Sequence, residues 1–211
     1  GRWIKQRFPV TPIIMGGPNI RHDQDGIKSF LEEHEYVDVY ISFEGEIPFT
    51  GLLTQILKRF PNGKCNPVDI RAFDIDSCFS LENGSLRGKH ATENSNNLDY
   101  IPSPYTTGLL DAFLIPEFIP LFESNRGCPH TCSYCTWGSS VRSHVKKFSR
   151  ERLKADMEYV AKTGKLFSKW TFADANFGIL PRDVEIARDI REIYEKYHPF
   201  HNLTIWWDKN A

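Results

Sequence analysis

The chain has 211 residues, 40% hydrophobic and 25% charged, with a formal net charge of -1. That composition suits a folded protein of one or two domains with a sizeable core, and it argues against disorder and against broad electrostatic attraction to nucleic acid. No apolar run approaches the ~20 residues of a membrane helix, no signal-peptide-like leader opens the chain, and the five cysteines are an odd, clustered set, so a reducing, cytoplasmic compartment is expected.

The opening GRWIKQRF has no initiator methionine and the closing LTIWWDKNA is strand-like, so the sequence reads as a piece of a longer protein. TPIIMGGPNI, residues 11–20, predicts a short buried strand closed by Gly16, Gly17 and Pro18. GIKSFLEEHE predicts a helix and YVDVYISF a second strand. IPFTGLLTQILKRF predicts a second helix, with Phe49, Leu52, Leu53, Ile56, Leu57 and Phe60 at helical spacing. Strands alternating with helices imply a partial doubly wound, Rossmann-like parallel sheet over residues 1–60, a fold that binds ligands outside the carboxyl ends of its strands. Two such ends are marked by Gly16-Gly17 and by Glu44-Gly45-Glu46. Glycine lets the backbone approach a bulky ligand, and Glu46 opens a helix where a carboxylate complements the dipole. The same residues also suit an ordinary turn and an ordinary first-turn acid.

Residues 61–116 read as a linker containing a β-hairpin at Asn83-Gly84 and a Pro-rich strap, with Cys65 and Cys78 as ordinary free thiols. The β/α rhythm restarts over 117–211. PLFESNRG is a strand, Ser149 caps a helix, KWTFADANFG is a strand and turn, Pro181 stands near the start of another helix, and NLTIWW is a third strand. This order is the first part of a β/α, TIM-type barrel. Trp170, Phe172, Trp206 and Trp207 read as strand core and His198 and His201 as polar surface residues. Arg126 is expected to support the loop after its strand or to tune charge there, and Lys209-Asn210 is a candidate for ligand contact at a strand end.

Cys128, Cys132 and Cys135 fall on the loop that follows the first barrel strand. Soft thiolates at this spacing suit zinc or an iron-sulfur cluster. A structural zinc wants four protein ligands, which would recruit His130 or His144 and make the chain a non-catalytic binding module. A cubane cluster normally takes four cysteines, so three leave one iron open for another ligand.

Cys-x3-Cys-x2-Cys, with Tyr134 before the last cysteine and Arg126-Gly127 before the first, resembles the signature of the radical S-adenosylmethionine superfamily. IIMGGP, ISFEGEIPF, LDYIPSPYTTGLLDAF and FADANFGILPRDVEIA are similar to successive segments of the subgroup that places a cobalamin-binding domain before the radical domain. The resemblance implies a 4Fe-4S cluster on Cys128, Cys132 and Cys135, with S-adenosylmethionine chelated at the open iron and cleaved by one electron to a 5′-deoxyadenosyl radical. It implies that Tyr134 lies near the adenine, and that Gly16, Gly17 and Glu44 to Glu46 flank a cobalamin. Asp174 and Asn176 stand where the family often has a Gly-Gly-Glu turn that binds the methionine amino group. The implied activity is methyl transfer to an unactivated carbon, with rearrangement as the other outcome. A related tRNA methylthiotransferase would need a further cysteine set that Cys65 and Cys78 do not make. The implied partners are a small-molecule or peptide substrate and an external electron donor such as flavodoxin or ferredoxin, with no membrane and no nucleic acid.

Overall fold

The computed structural model describes residues 1–17, 19–91, 97–135 and 144–208, and the chain divides into two compact units, 1–94 and 95–211. The segment 61–116, expected as a linker, is shared between them.

The first unit runs α1 (Arg2–Arg7), β1 (Ile14–Gly16), α2 (Gln24–Glu33), β2 (Val39–Ile41), α3 (Glu46–Arg59), α4 (Pro67–Arg71), β3 (Cys78–Glu82) and β4 (Ser85–Arg87). Local chemistry starts several of these helices. Asp23 caps α2 by accepting the Gly26 amide at 2.7 Å, and Asn66 and Asp69 form a reciprocal capping box on α4. The strands form one sheet in the order β1-β2-β3-β4. β1 and β2 are parallel, with Ile14 opposite Val39 and Gly16 opposite Ile41.

Alternation along β2 sends its side chains to opposite faces. Val39 and Ile41 pack with Leu52 of α3, Ile70 of α4 and Cys78, whereas Tyr40 packs with Ile27 and Leu31 of α2 and with Phe79. Helices therefore cover both faces, as in a doubly wound fold. Over residues 1–60 the two strands are parallel, as expected; the hairpin expected in the following segment extends this sheet, β3 running antiparallel to β2 and turning back into β4. The turn itself follows the sequence: Asn83 and Gly84 both take positive φ, 52° and 75°, as a two-residue hairpin of matching twist requires. At the amino end of β2, the fully buried Asp38 carboxylate accepts from the Ile13 amide at 2.7 Å and from Lys5 Nζ and Arg71 Nη2, each at 2.6 Å. A buried carboxylate requires such partners, and these bind α1 and α4 to the sheet.

The second unit contains β5 (Leu121–Phe122), β6 (Asn125–Arg126), β7 (Lys146–Lys147), α5 (Arg150–Lys162), β8 (Phe167–Phe172), α6 (Asp183–Tyr197) and β9 (Phe200–Thr204). β5, β8 and β9 form a parallel sheet in that order. Its core joins Phe122, Phe167, Trp170, Phe172 and Phe200 to Leu153, Met157 and Val160 of α5 and to Ile186, Ile190 and Ile193 of α6. The Pro-rich strap packs on this unit. The Tyr105 hydroxyl donates to the Leu121 carbonyl at 2.7 Å and accepts from the Leu121 amide at 3.0 Å, so it occupies both backbone groups of the first residue of β5. Burial pushes that hydroxyl up to about 12.

Two expectations change here. PLFESNRG is not one strand: after Phe122 the chain turns, and Asn125 and Arg126 pair antiparallel with Lys147 and Lys146. Trp170 and Phe172 are core, but Trp206 and Trp207 are 53% and 63% exposed. β9 ends at Thr204, so these two rings lie beyond the sheet, with Trp207 edge-on to Phe177 at 5.5 Å. His198, exposed, closes α6 in the left-handed conformation, and His201 is exposed.

The Ser149 cap is present, accepting the Arg152 amide at 3.2 Å. Ser149→Ala is expected to lower unfolding stability by about 1 kcal/mol, read from the midpoint of urea denaturation at constant slope.

Candidate functional site

In the first unit the expected residues do gather at the carboxyl ends of β1 and β2. Gly16 ends β1 close against its neighbour: a Cβ there would lie 3.1 Å from the Ile41 carbonyl oxygen. Gly17 takes φ 120°, a conformation open to glycine, and its carbonyl accepts from the Tyr40 hydroxyl at 2.6 Å. Gly45 precedes α3 and its carbonyl accepts the Phe49 amide at 2.9 Å; Glu46 is the first residue of the helix, and Glu44 to Glu46 are half-buried. Pro18 lies outside the described residues.

Three residues that sequence reading did not single out stand at the same strand end. Phe43, directly after β2, has φ 59°, a strained value for a bulky residue. Its ring stacks on His22 at 4.8 Å and lies 5.1 Å from His90, which in turn bonds Ser42 Oγ through Nδ1 at 3.1 Å. Backbone strain of this kind collects at ligand-binding turns. No periodicity signals it, because the rings meet only through the sheet. A cavity of about 720 Å³ sits at the other, amino end of the strands among Arg2, Lys5, Tyr36, Asp38 and Arg71. Lys5 and Arg71 in its wall are already paired with Asp38, and doubly wound sheets take their ligands at the carboxyl ends.

In the second unit the cysteine loop leaves the carboxyl end of β5 and is held at its neck and at its start. The β6–β7 ladder closes the neck. Ser124 and Asn125, just before the loop, direct their amides at the carboxylate of Asp174, at 2.6 and 3.2 Å. Ser124 Oγ and Asn125 Nδ2 donate to the same carboxylate. Arg182, at the start of α6, donates to the carbonyls of Ser124 and Phe148, one on each side of the loop. Arg126 pairs with Glu123 at 2.9 Å and lies over the Phe148 ring, contacts that suit a supporting role.

Asp174, expected to face a ligand ammonium, is thus occupied. It is 2% exposed and accepts from four groups of the strand end. Asn176 faces the loop instead, its Nδ2 donating to Cys128 Sγ at 2.9 Å. His130 Nε2 lies 2.5 Å from Asp208 Oδ2, a contact between the loop and the segment after β9 that no sequence spacing indicates. His144 is exposed, and Lys209-Asn210 lies outside the described residues.

Cys128 is buried and Cys132 and Cys135 are half-buried; the Cys135 amide donates to the Cys132 carbonyl at 3.1 Å, and Tyr134 is 89% exposed. None of the five cysteines forms a disulfide. Burial pushes the Cys78 thiol up to about 11, which suits an inert core residue, and Cys65 is raised for the same cause. Among the described residues no three His, Cys, Asp or Glu side chains converge to hold a metal ion. The donor set nonetheless fits an iron-sulfur group: three soft donors outside any disulfide within eight residues, one accepting an amide hydrogen, on a loop pinned at its neck.

The first unit is thus a helix-covered sheet with a glycine-and-acid strand end, and the second a β/α unit with three thiols on the loop after its first strand. No family model matches the chain. It is 36% identical over 199 residues to the cobalamin-dependent radical SAM methyltransferase TokK of Streptomyces tokunonensis. It is 35% identical over 201 residues to the 2-(S-pantetheinyl)-carbapenam-3-carboxylate methyltransferase of Streptantibioticus cattleyicolor. Each match covers 90% of this chain and 27% of the relative, so the chain spans about a quarter of their length. A solved structure of the cobalamin-dependent S-adenosylmethionine radical enzyme OxsB, with aqua-cobalamin and S-adenosylmethionine bound, shares the fold at a TM-score of 0.56 and 18% identity, over 87% of this chain and 24% of that one. The chain is a homologue, over nine-tenths of its length, of cobalamin-dependent radical S-adenosylmethionine methyltransferases.

Burial holds the Asp174 carboxyl at about 6, above its ordinary 3.8, against the opposing pull of its donors. Folding therefore takes up a proton between those values. Asp174's contribution to stability is complete below 3.8 and is lost as pH rises through about 6, a change of about 3 kcal/mol. Urea unfolding at about pH 4 and about pH 7 should show this loss, and Asp174→Asn should flatten it. Asp208→Ala removes the acceptor beside His130; amide hydrogen exchange is expected to quicken across residues 129–135 while the β8 amides keep their protection.

Proposed function

We propose that this chain is part of a cytoplasmic enzyme that uses a 4Fe-4S cluster, S-adenosylmethionine and cobalamin to methylate an unactivated carbon. The observation that carries the reading is the set of three thiols outside any disulfide, and not four, on a pinned loop at the carboxyl end of β5, in a homologue of named methyltransferases. Cys128, Cys132 and Cys135 would hold the cluster, and Gly16, Gly17 and the Glu44 to Glu46 turn would border the cobalamin. When bound, these groups supply the electron that converts S-adenosylmethionine to a 5′-deoxyadenosyl radical and the methyl group that is transferred.

The residues of the chain bind, orient and shield. Asp174 and Arg182 keep the loop ends in register by holding Ser124 and Phe148, so the thiols approach the cluster from a fixed base. The exposed Tyr134 ring is available to stack on an adenine. Gly16 and Gly17 present bare backbone where a large planar ring can lie close, and Phe43 follows the neighbouring strand. No helix among the described residues is long and apolar enough to cross a membrane. A flavodoxin or ferredoxin would deliver the electron.

The test uses the full-length protein, purified anaerobically and reconstituted with iron and sulfide. On reduction it should form 5′-deoxyadenosine from S-adenosylmethionine, and Cys128→Ala should abolish both iron retention and cleavage. No cleavage by the parent, or equal cleavage by the variant, overturns the radical reading. Gly16→Val should reduce cobalamin retention, followed by its visible absorption, and leave the iron content unchanged.

A further inference from the structure

We propose that Asn176 is a positioning residue whose side-chain amide holds Cys128 and raises the electron affinity of the cluster that Cys128, Cys132 and Cys135 bind. The proposal rests on the cluster reading above and adds to it a residue that sets how readily the cluster accepts an electron.

Asn176 Nδ2 lies 2.9 Å from Cys128 Sγ. Cys128 is 8% exposed and Asn176 half-buried, so little water competes for this contact. A sulfur bonded to iron carries no proton and can only accept, so the amide must present its NH2 end. The position is held on both sides. Two residues before it, the Asp174 carboxylate accepts the backbone amides of Ser124 and Asn125. One residue after it, Phe177 donates its amide to the Trp206 carbonyl at 2.7 Å and accepts the Asp208 amide at 2.8 Å. Asn176 is thus anchored between the ends of β8 and β9 and aimed at the one buried thiol of the loop. Such fixing holds the amide in one geometry against the sulfur.

The physical consequence has a definite sign. Reduction adds negative charge that is shared by the cluster and its sulfurs. A hydrogen bond to a sulfur stabilises the reduced state more than the oxidised one, so it raises the midpoint potential. Removing the donor lowers it.

The experiment needs no substrate and no S-adenosylmethionine. Full-length parent protein and variants are reconstituted anaerobically, assayed for iron and sulfide per chain, and titrated with dithionite while the reduced cluster is followed by electron paramagnetic resonance. Asn176→Leu, similar in size without the donor, is expected to load the same iron and to show a more negative midpoint. Asn176→Gln, which keeps an amide, is expected to recover part of that shift. A leucine variant with the parent midpoint overturns this proposal and leaves the cluster reading standing, as does a glutamine variant indistinguishable from leucine. If the leucine variant loses the cluster, Asn176→Ser decides: loading restored by its hydroxyl donor supports the role, and loss in serine as well overturns it. A parent that takes up no four-iron cluster removes both readings.

Discussion

Burying a carboxylate is costly unless its oxygens are fully engaged, and Asp174 meets that condition by drawing Ser124 and Asn125 out of the sheet. The two amides that would have continued β5 along β8 turn to the side chain at the end of β8 instead. The strand therefore stops at Phe122, and Asn125 and Arg126 form the short ladder with Lys147 and Lys146 instead. Everything about the cysteine loop depends on that diversion: where it leaves the sheet, what closes its neck, and why Arg182 finds carbonyls on both sides of it. The desolvation that raises the Asp174 pKa is the cost of the same arrangement.

The loop is then addressed by the two strand ends that follow it in sequence. Asn176 reaches Cys128 from the turn after β8, and Asp208 reaches His130 from beyond β9. A parallel β/α sheet brings successive carboxyl ends to one edge, so residues about fifty and eighty positions apart meet over the cysteine loop. Fixing the ligand loop from outside its own sequence lowers the entropy that a metal group must otherwise overcome in ordering it.

The first unit solves a similar problem with backbone conformation. Gly17 and Phe43 both take positive φ, one without penalty and one with strain, at the ends of adjacent parallel strands. The strain at Phe43 is supported by rings from three places, His22, His90 and, through His90, Phe79. Its sheet is mixed because the hairpin lies beside β2 and shields an edge that would otherwise present unpaired groups.

Much of this was legible locally. The Asn83-Gly84 hairpin, the Ser149 cap, the alternation of strands and helices and the three-thiol loop are all short-range chemistry, in which a few neighbouring residues decide the conformation. The sequence by itself therefore determined the β/α class, the placing of the cysteines after a strand and the family resemblance. It did not show that the hairpin joins the first sheet, that PLFESNRG breaks in the middle, or that Trp206 and Trp207 lie past the sheet. Nor did it separate Asp174, turned inward to the strand end, from Asn176, turned toward a thiol. Those outcomes belong to the tertiary structure, because each turns on which distant donor or sheet edge a group meets, and spacing along the chain carries no record of that partner.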